Sequence, residues 1–246
     1  MKIESILLAV TQVFTFKKTK GLTTATGAFF QREQRLYLIT NHHVVQDLDS
    51  GHEPDRLEID LHTNLNNIAE TVRYSIPLYD DQGGPLWLKT TDSSGLVDIV
   101  AILIEAENFP PNTQYQAFGM ENLVENMEDI EIGTSVRVVG HPLGFADCLH
   151  HLPVMRHAII ASSFSLRFQG YGYFLTDSLL HRGASGSPVV MRTTELISGR
   201  EDFPWMLLGI HAGRIDMEHR DEKEDERLNL FNTWYADVLR TLTAKN

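Results

Sequence analysis

Short segments in which apolar and polar residues alternate make up most of the chain, and turn-forming residues separate them. Residues 56–62 alternate strictly, and residues 71–78 show a similar pattern. A period of two puts every second side chain on one face, so it predicts strands with one buried and one solvated face. Apolar or β-branched runs predict further strands at residues 1–12, 23–30, 36–40, 98–104, 134–139, 157–163, 171–176, 187–191 and 205–211. Many short strands of this kind predict an all-β fold.

A few stretches depart from the strand pattern. Residues 44–45 are expected to form a short helical turn or loop. Residues 106–128 are acidic and contain two consecutive prolines, so we expect them to connect two halves, residues 1–115 and 116–246. Near the C-terminal end, apolar residues recur at helical spacing and predict an amphipathic helix; they are Leu230, Phe231, Trp234, Val238, Leu239 and Leu242.

Length and charge narrow the class of protein. A chain of 246 residues is long enough for one large β domain or two small ones that share a core. Its formal net charge of −12 argues against nucleic acid, which requires a basic face, and against anionic membranes. The N-terminal apolar run is short and interrupted by Glu4, and no segment reaches the roughly 18 apolar residues of a membrane span. We therefore expect a soluble protein of the cytoplasm.

The single cysteine limits the disulfide chemistry of the chain. Cys148 has no second cysteine to pair with, so the fold does not depend on an internal disulfide. No motif surrounds it, and we expect it to be a small buried residue.

A serine stands between glycines in Gly183-Ala184-Ser185-Gly186-Ser187-Pro188. Gly183 and Gly186 allow a sharp bend and a close approach of the backbone to a ligand. Such a bend can expose the Ser185 hydroxyl next to several backbone N–H groups. Acyl transfer needs this combination of a nucleophile and donors that stabilise an oxyanion. By itself the stretch is more typical of a surface turn before a strand than of a catalytic site.

Two earlier stretches supply the partners that a nucleophilic serine requires. The first, Thr40-Asn41-His42-His43-Val44, offers a histidine as general base. The second, Asp98-Ile99-Val100-Ala101-Ile102, opens an apolar strand with a carboxylate. A histidine base works best when a carboxylate fixes its tautomer and stabilises the imidazolium. Asp92, in the loop that precedes Asp98, is the competing acid, but it is more typical of a local turn bond.

The three stretches, in the order His, Asp, Ser, closely resemble the motifs of trypsin-like serine peptidases. The nearest resemblance is to HtrA-type and bacterial glutamyl endopeptidases, and it extends over roughly residues 20 to 240. The resemblance implies two packed antiparallel β-barrels followed by a C-terminal helix. It also implies a triad of His43, Asp98 and Ser185 and an oxyanion hole formed by the N–H groups of Gly183 and Ser185. The family motif places the base directly before a valine, which selects His43 and not its neighbour His42.

The resemblance also implies where a substrate would bind. Leu179 and Leu180 would line the base or wall of the primary specificity pocket, and His211 the opposite wall. Ala212 and Gly213 belong to a strand edge with which the substrate would pair. Related enzymes that select Glu or Gln also have a histidine at this position. They carry a Thr or Ser hydroxyl where this chain has the apolar Leu180. His211 as an ordinary buried core residue is the alternative.

Regulation is expected to differ from that of the relatives. Ala184 replaces the acidic residue with which a newly cut N-terminus pairs in trypsin-type zymogens, so activation by that route is not expected. Regulation by a peptide-binding PDZ domain, as in HtrA-type enzymes, is not expected either. A regulatory protein partner or a flexible loop is therefore expected to provide control.

Three other functions have some support in the sequence. An α/β-hydrolase would place the acid and the histidine after the serine, and its alternating helices are missing. The 11 histidines suggest a metal site only by their number, because no His-Glu-x-x-His motif is present and the adjacent His150-His151 cannot share one ion from a regular strand. No metal or cofactor is therefore expected. The third alternative is a catalytically weak trypsin-like domain that binds peptides or proteins.

Overall fold

Fifteen strands and three short helices organise the part of the chain that the computed structural model describes, which is residues 3–145, 147–181, 183–193, 197, 202–214 and 228–244. The helices are α1 (Ser5–Leu8), α2 (His42–Val45) and α3 (Leu239–Leu242). The strands of the first half are β1 (Val10–Lys17), β2 (Lys20–Arg32), β3 (Arg35–Thr40), β4 (Arg56–His62), β5 (Thr71–Pro77), β6 (Trp87–Leu88), β7 (Thr91–Asp92), β8 (Gly95–Leu96) and β9 (Val100–Ile104). Those of the second half are β10 (Ser135–Gly140), β11 (Val154–Ile160), β12 (Tyr173–Ser178), β13 (Pro188–Arg192), β14 (Trp205–Arg214) and β15 (Leu230–Tyr235). Single 3₁₀ turns lie at Ala106–Asn108, Met120–Asn122, Met127–Asp129, Pro142–Gly144, Phe168–Gly170 and Ala236–Val238.

Strands of the first half form one antiparallel sheet of seven strands. Its order is β5-β4-β1-β2-β3-β9-β6, and β7 pairs with β8 in a separate small hairpin. The two edge strands approach each other at one end, where the N–H of Leu86, just before β6, donates to the carbonyl of Leu78, just after β5 (2.9 Å). Apolar side chains from alternate positions fill the inside of this curved sheet, including Leu57, Ile59 and Leu61 of β4.

The second half is a closed barrel of six antiparallel strands in the order β10-β11-β12-β15-β14-β13. Closure removes the exposed strand edges that an open sheet would leave. The inside of the barrel is apolar and aromatic, with Phe164, Phe174 and Tyr235 in edge-on or tilted ring contacts. The all-β fold that the sequence predicts, with a barrel and a short C-terminal helix, is confirmed.

A third apolar cluster joins the two halves. It contains Ala28 and Phe30 of β2 together with Leu207 and Ile210 of β14. Leu239 and Leu242 of α3 extend the same cluster. Arg32 adds a hydrogen bond from its guanidinium to the Arg240 carbonyl (2.7 Å). The two halves are thus held together by a shared apolar core.

The sequence-based predictions were wrong at both ends and at Cys148. Residues 5–8 form a helical turn, and the first strand begins only at Val10. Residues 230–235 form strand β15 rather than a helix, which is confined to α3. Cys148 is exposed. Residues 216–227 are densely charged, a composition that predicts a solvated loop, and they lie outside the described residues.

None of the helices described by the structure is long and apolar enough to cross a membrane.

Candidate active site

His43, the predicted base, lies on a single helical turn at the end of a buried strand. Strand β3 ends at Thr40, and α2 follows after one residue. Val44 and Val45 are buried against the first-half sheet and anchor this turn. His43, on the other side of the turn, keeps a side chain that is 40% exposed. The imidazole is therefore held by its backbone while its ring remains accessible to a ligand.

Asp98 holds both the ring and the main chain of His43. Its Oδ2 lies 2.8 Å from His43 Nδ1, and its Oδ1 accepts the His43 main-chain N–H at 3.0 Å. Asn41 fixes the acid in turn, since its amide donates to the Asp98 carbonyl at 2.7 Å. With Nδ1 facing a carboxylate, the neutral ring carries its proton on Nδ1 and leaves Nε2 as the acceptor. Asp92, the competing acid, instead pairs with Arg167 at 2.8 Å.

The environment of His43 favours its protonated form. Burial lowers the pKa of His43, but the hydrogen bond and the negative charge of Asp98 outweigh burial, and Asp47 adds to them. The net result is a pKa raised above the ordinary value of 6.5. This direction suits a base that must hold a proton during the reaction.

The turn formed by residues 183–187, hereafter the reactive turn, has the bend that its two glycines predict. Gly183 and Gly186 adopt φ values of +88° and +86°, a region that disfavours any residue with a side chain. A Cβ on Gly183 would lie 2.8 Å from the His141 carbonyl oxygen, and one on Gly186 would lie 2.0 Å from that of Thr26. Both positions therefore require glycine for conformation and for space.

Gly186→Ala is expected to reduce the free energy of unfolding much more than Gly133→Ala. Gly133 has nearly the same φ, +84°, but a Cβ there would meet nothing within 4 Å. The control should therefore cost only the backbone strain, about 1 kcal/mol. The clash with Thr26 should add about 2 kcal/mol or more at Gly186. Urea unfolding of both variants measures the difference, and equal losses would contradict the packing of this turn.

Hydrogen bonds fix nearly every peptide group of the turn. The Ala184 N–H donates to the His181 carbonyl (3.2 Å), and the Gly186 N–H donates to that of His211 (2.9 Å). The Ala184 carbonyl accepts the Ser187 N–H at 2.9 Å. Among the described residues, the N–H groups of Gly183 and Ser185 have no such acceptor. The two donors expected to form an oxyanion hole are thus available to a ligand.

The Ser185 hydroxyl shares a cavity with His43 but is not bonded to it. It donates to the Ala212 carbonyl at 2.9 Å, and no hydrogen bond to His43 occurs between these two described residues. Ser185, Gly183 and His43 all line one open cavity of about 550 Å³. Its other wall is formed by residues 20–25 of β2 and by the segment around Asp47. The structure therefore brings the three motifs together and leaves the serine hydroxyl in a resting orientation.

The expected specificity residues occupy different environments. His211 is 2% exposed, and burial followed by the nearby His43 lowers its pKa to about 3, so the ring is neutral. It packs against the ring of Phe231, with centroids 5.2 Å apart. Leu180 is buried in the barrel core beside Ala184. Leu179 is 59% exposed and lines a separate cavity with Asp177 and His157. A role for the two leucines in specificity stays a prediction.

The strand edge next to the turn is open beyond His211. Strand β13 pairs with β14 only as far as Ile210, and Ala212 and Gly213 have no strand partner on that side in the described chain. On the opposite side, the Gly213 N–H donates to the Asn232 side chain at 2.9 Å.

Sequence reasoning missed two residues that shape this site. Asn41 directly precedes the two histidines and fixes the acid, as described above. Thr26 lies in β2 and donates hydrogen bonds to two carbonyls of the reactive turn. The only signal was a Thr-Gly pair followed by the apolar run 28–30. No group of three or more His, Cys, Asp or Glu side chains in the described ranges is arranged to hold a metal.

Comparison with known proteins shows the family to which the chain belongs. The family model described as the trypsin-like peptidase domain matches residues 25–198. No curated protein matches the chain. The serine endoprotease from Yersinia pestis has 16% sequence identity to this chain and a TM-score of 0.50. The similarity covers 96% of this chain but only 61% of the length of the Yersinia protein. The scabies mite inactivated protease paralogue S-I1 also has 16% identity, with a TM-score of 0.55 over 98% of this chain and 94% of that one. The two structures support the fold, and because the family model covers more than half of its length, the chain belongs to the trypsin-like peptidases.

Proposed function

We propose that the protein is a serine endopeptidase that cleaves peptide bonds through an acyl-enzyme on Ser185. The observation that carries this proposal is a single cavity lined by Ser185, His43 and Gly183. Asp98 holds His43 at 2.8 Å. Two N–H groups of the reactive turn, those of Gly183 and Ser185, lack an acceptor in the described chain. Family membership supports a polypeptide as the substrate. No cofactor enters the proposed reaction.

The reaction follows from these positions. The Ser185 oxygen attacks the scissile carbonyl carbon while His43 Nε2 takes the hydroxyl proton, and the N–H groups of Gly183 and Ser185 stabilise the oxyanion. The imidazolium then gives its proton to the leaving amine, and the C–N bond breaks. Water attacks the remaining ester with His43 again acting as base, which releases the acid and restores Ser185.

Substrate binding would also reorient the nucleophile. A polypeptide that adds as a strand to the open edge at residues 212–214 offers N–H groups to the carbonyls of that edge. The Ala212 carbonyl at present accepts the Ser185 hydroxyl. A substrate N–H that bonds the Ala212 oxygen weakens this hold, and the hydroxyl becomes available to His43 Nε2.

A fluorophosphonate probe tests the proposal directly. The probe phosphonylates activated serines, and tryptic mass spectrometry of the labelled protein locates the adduct. We expect a single adduct on the peptide that contains Ser185. An adduct on another serine, or none at all together with no hydrolysis of a peptide library, would refute the proposal.

A peptide-binding domain without turnover is the second candidate. Its support is the hydrogen bond of the Ser185 hydroxyl to Ala212 instead of His43, and the similarity of the fold to a scabies mite protein described as inactivated. Binding of library peptides to the unlabelled protein without cleavage would favour it. A regulatory protein partner, the absence of nucleic-acid and membrane partners, and the cytoplasmic location stay predictions from the sequence.

The pH dependence of kcat/KM should report on His43. The base must be neutral in the free enzyme, so kcat/KM is expected to rise with pH. Because Asp98 raises the pKa of His43 above 6.5, the midpoint should lie above that value. A pH profile recorded at constant ionic strength measures it. A flat profile between about pH 5 and 8, or a midpoint below 6.5, would contradict the proposed role of His43.

A further inference from the structure

Thr26 lies directly against the reactive turn although it belongs to the first half of the chain. It is fully buried in β2, 157 residues before Gly183 along the chain. Its hydroxyl donates to the Gly183 carbonyl at 3.0 Å and accepts the main-chain N–H of His141 at 3.0 Å. Its own N–H donates to the Ser185 carbonyl at 2.8 Å. One residue thus binds two carbonyls of the turn and the start of the 141–145 segment.

These two carbonyls flank the peptide group that matters for catalysis. The Gly183 carbonyl belongs to the peptide between residues 183 and 184, and the Ser185 carbonyl to the peptide between 185 and 186. Between them lies the peptide that carries the Ser185 N–H, one of the two donors that lack an acceptor in the described chain. The carbonyl of this middle peptide, that of Ala184, accepts the Ser187 N–H at 2.9 Å. Thr26 holds the peptide planes on both sides of it, so Thr26 adds to the restraint on the direction of the Ser185 N–H without touching it.

The packing around Thr26 leaves it no room to move. A Cβ on Gly140 would lie 2.8 Å from the Thr26 hydroxyl oxygen, and the Thr26 carbonyl accepts the Thr40 hydroxyl at 2.8 Å. Close packing of this kind transmits displacement instead of absorbing it. A change at Thr26 would therefore be passed on to the turn.

We propose that Thr26 is a positioning residue, whose hydroxyl holds the turn in the conformation that directs the Ser185 N–H at the oxyanion. The inference rests on the proposed peptidase function. It gives the first half of the chain a second task besides supplying the base and the acid. It also explains why a hydroxyl residue stands at a fully buried position of β2, where an apolar side chain would otherwise fit.

Thr26→Val tests the hydroxyl while keeping the shape of the side chain. We expect kcat and the rate of fluorophosphonate labelling to fall by about tenfold to a hundredfold, with KM changed by less than about twofold, because misplaced catalytic groups affect the transition state and not ground-state binding. Thr26→Ser restores a hydroxyl and should bring both rates back to within about threefold of the wild type. Melting temperatures are recorded for each variant.

Thr243→Val is the matched control. Thr243, directly after the C-terminal helix, is also buried, and its hydroxyl donates to the Leu239 carbonyl (2.7 Å) and accepts from Arg32 (3.4 Å). Its loss should lower the melting temperature and leave kcat and the labelling rate unchanged. A fall in kcat in this control as large as that in Thr26→Val would show a merely structural effect and overturn the inference.

The other possible results also test the role of Thr26. If Thr26→Val does not fold, Thr26→Cys replaces it, because a thiol is a weak donor of similar size, and it should be slower than Thr26→Ser. Wild-type kcat in the Val or Cys variant would overturn the role of Thr26 while the peptidase function stands. Failure of the peptidase function would appear in the wild-type protein itself, as no labelling and no hydrolysis, and the inference would fall with it.

Discussion

Ser185→Ala is expected to reduce kcat by about 10⁶ and to abolish fluorophosphonate labelling. The methyl group cannot form the ester on which the proposed reaction depends, and the remaining oxyanion donors give only a small residual rate. Within the described chain the change removes one hydrogen bond of the hydroxyl, the one to the Ala212 carbonyl, so it should not destabilise the fold. Single-turnover kinetics on a peptide selected from a library measure the rate, and circular dichroism verifies folding.

The same motif provides the control. Ser187 stands two residues further along and is fully buried, and its hydroxyl has no hydrogen-bond partner in the described structure. Ser187→Ala should therefore keep both labelling and turnover. Labelling that persists in Ser185→Ala and disappears in Ser187→Ala would show that the nucleophile has been wrongly assigned.

Asp98→Asn should reduce kcat by about 10⁴ without unfolding the protein. The His43 main-chain N–H needs an acceptor, so the amide oxygen of the new side chain would take the place of the Asp98 Oδ1. The NH₂ group of that amide would then face His43 Nδ1, which must become an acceptor and shift its proton to Nε2. A ring protonated at Nε2 cannot accept the proton of Ser185. The carboxylate thus acts through the tautomer that it imposes.

Asp92→Asn separates this effect from a general loss of negative charge near the site. Asp92 pairs with Arg167 and with Ser94 and makes no contact with His43 in the described chain. The kcat of this variant should stay within about threefold of the wild type, because Asp92 does not line the cavity that His43 and Ser185 share. Comparable losses in the two variants would contradict the choice of Asp98 as the acid.

Most strands could be predicted from the sequence because their pattern is local. Strict alternation over residues 56–62 reflects a sheet with a single apolar face, and β4 has the same bounds. Strand β11 begins three residues earlier than expected, at Val154, because the apolar Met155 is exposed and the polar Arg156 is half-buried, which hides the start of the pattern.

Strand β15 could not be recognised from the sequence because neither of its faces is exposed to solvent. Phe231, Thr233 and Tyr235 are buried, and Thr233 finds a partner in the Thr176 hydroxyl (3.2 Å). On the other face, Trp234 packs into the core shared by the two halves. Apolar residues on both faces and a buried threonine destroy the period of two, and the remaining spacing imitates a helix.

The candidate site was predictable only as far as its motifs are contiguous. The glycine turn and the histidine and aspartate motifs are short, and each can be read by itself. The contacts of Thr26 depend on how two distant parts of the chain meet, and no local pattern encodes them. The resting bond of the Ser185 hydroxyl to Ala212 is likewise a tertiary feature.

The hydrogen bonds of the reactive turn have a consequence for the timing of activity during biosynthesis. Its peptide groups are held by Thr26, which joins it from 157 residues away, and by His211, which follows it in the chain. Contacts this distant form late, because the intervening chain must first lose its freedom. A growing or half-folded chain contains Ser185 but not the arranged turn on which the proposed reaction depends. The proposed peptidase activity would therefore begin only when the tertiary structure is complete.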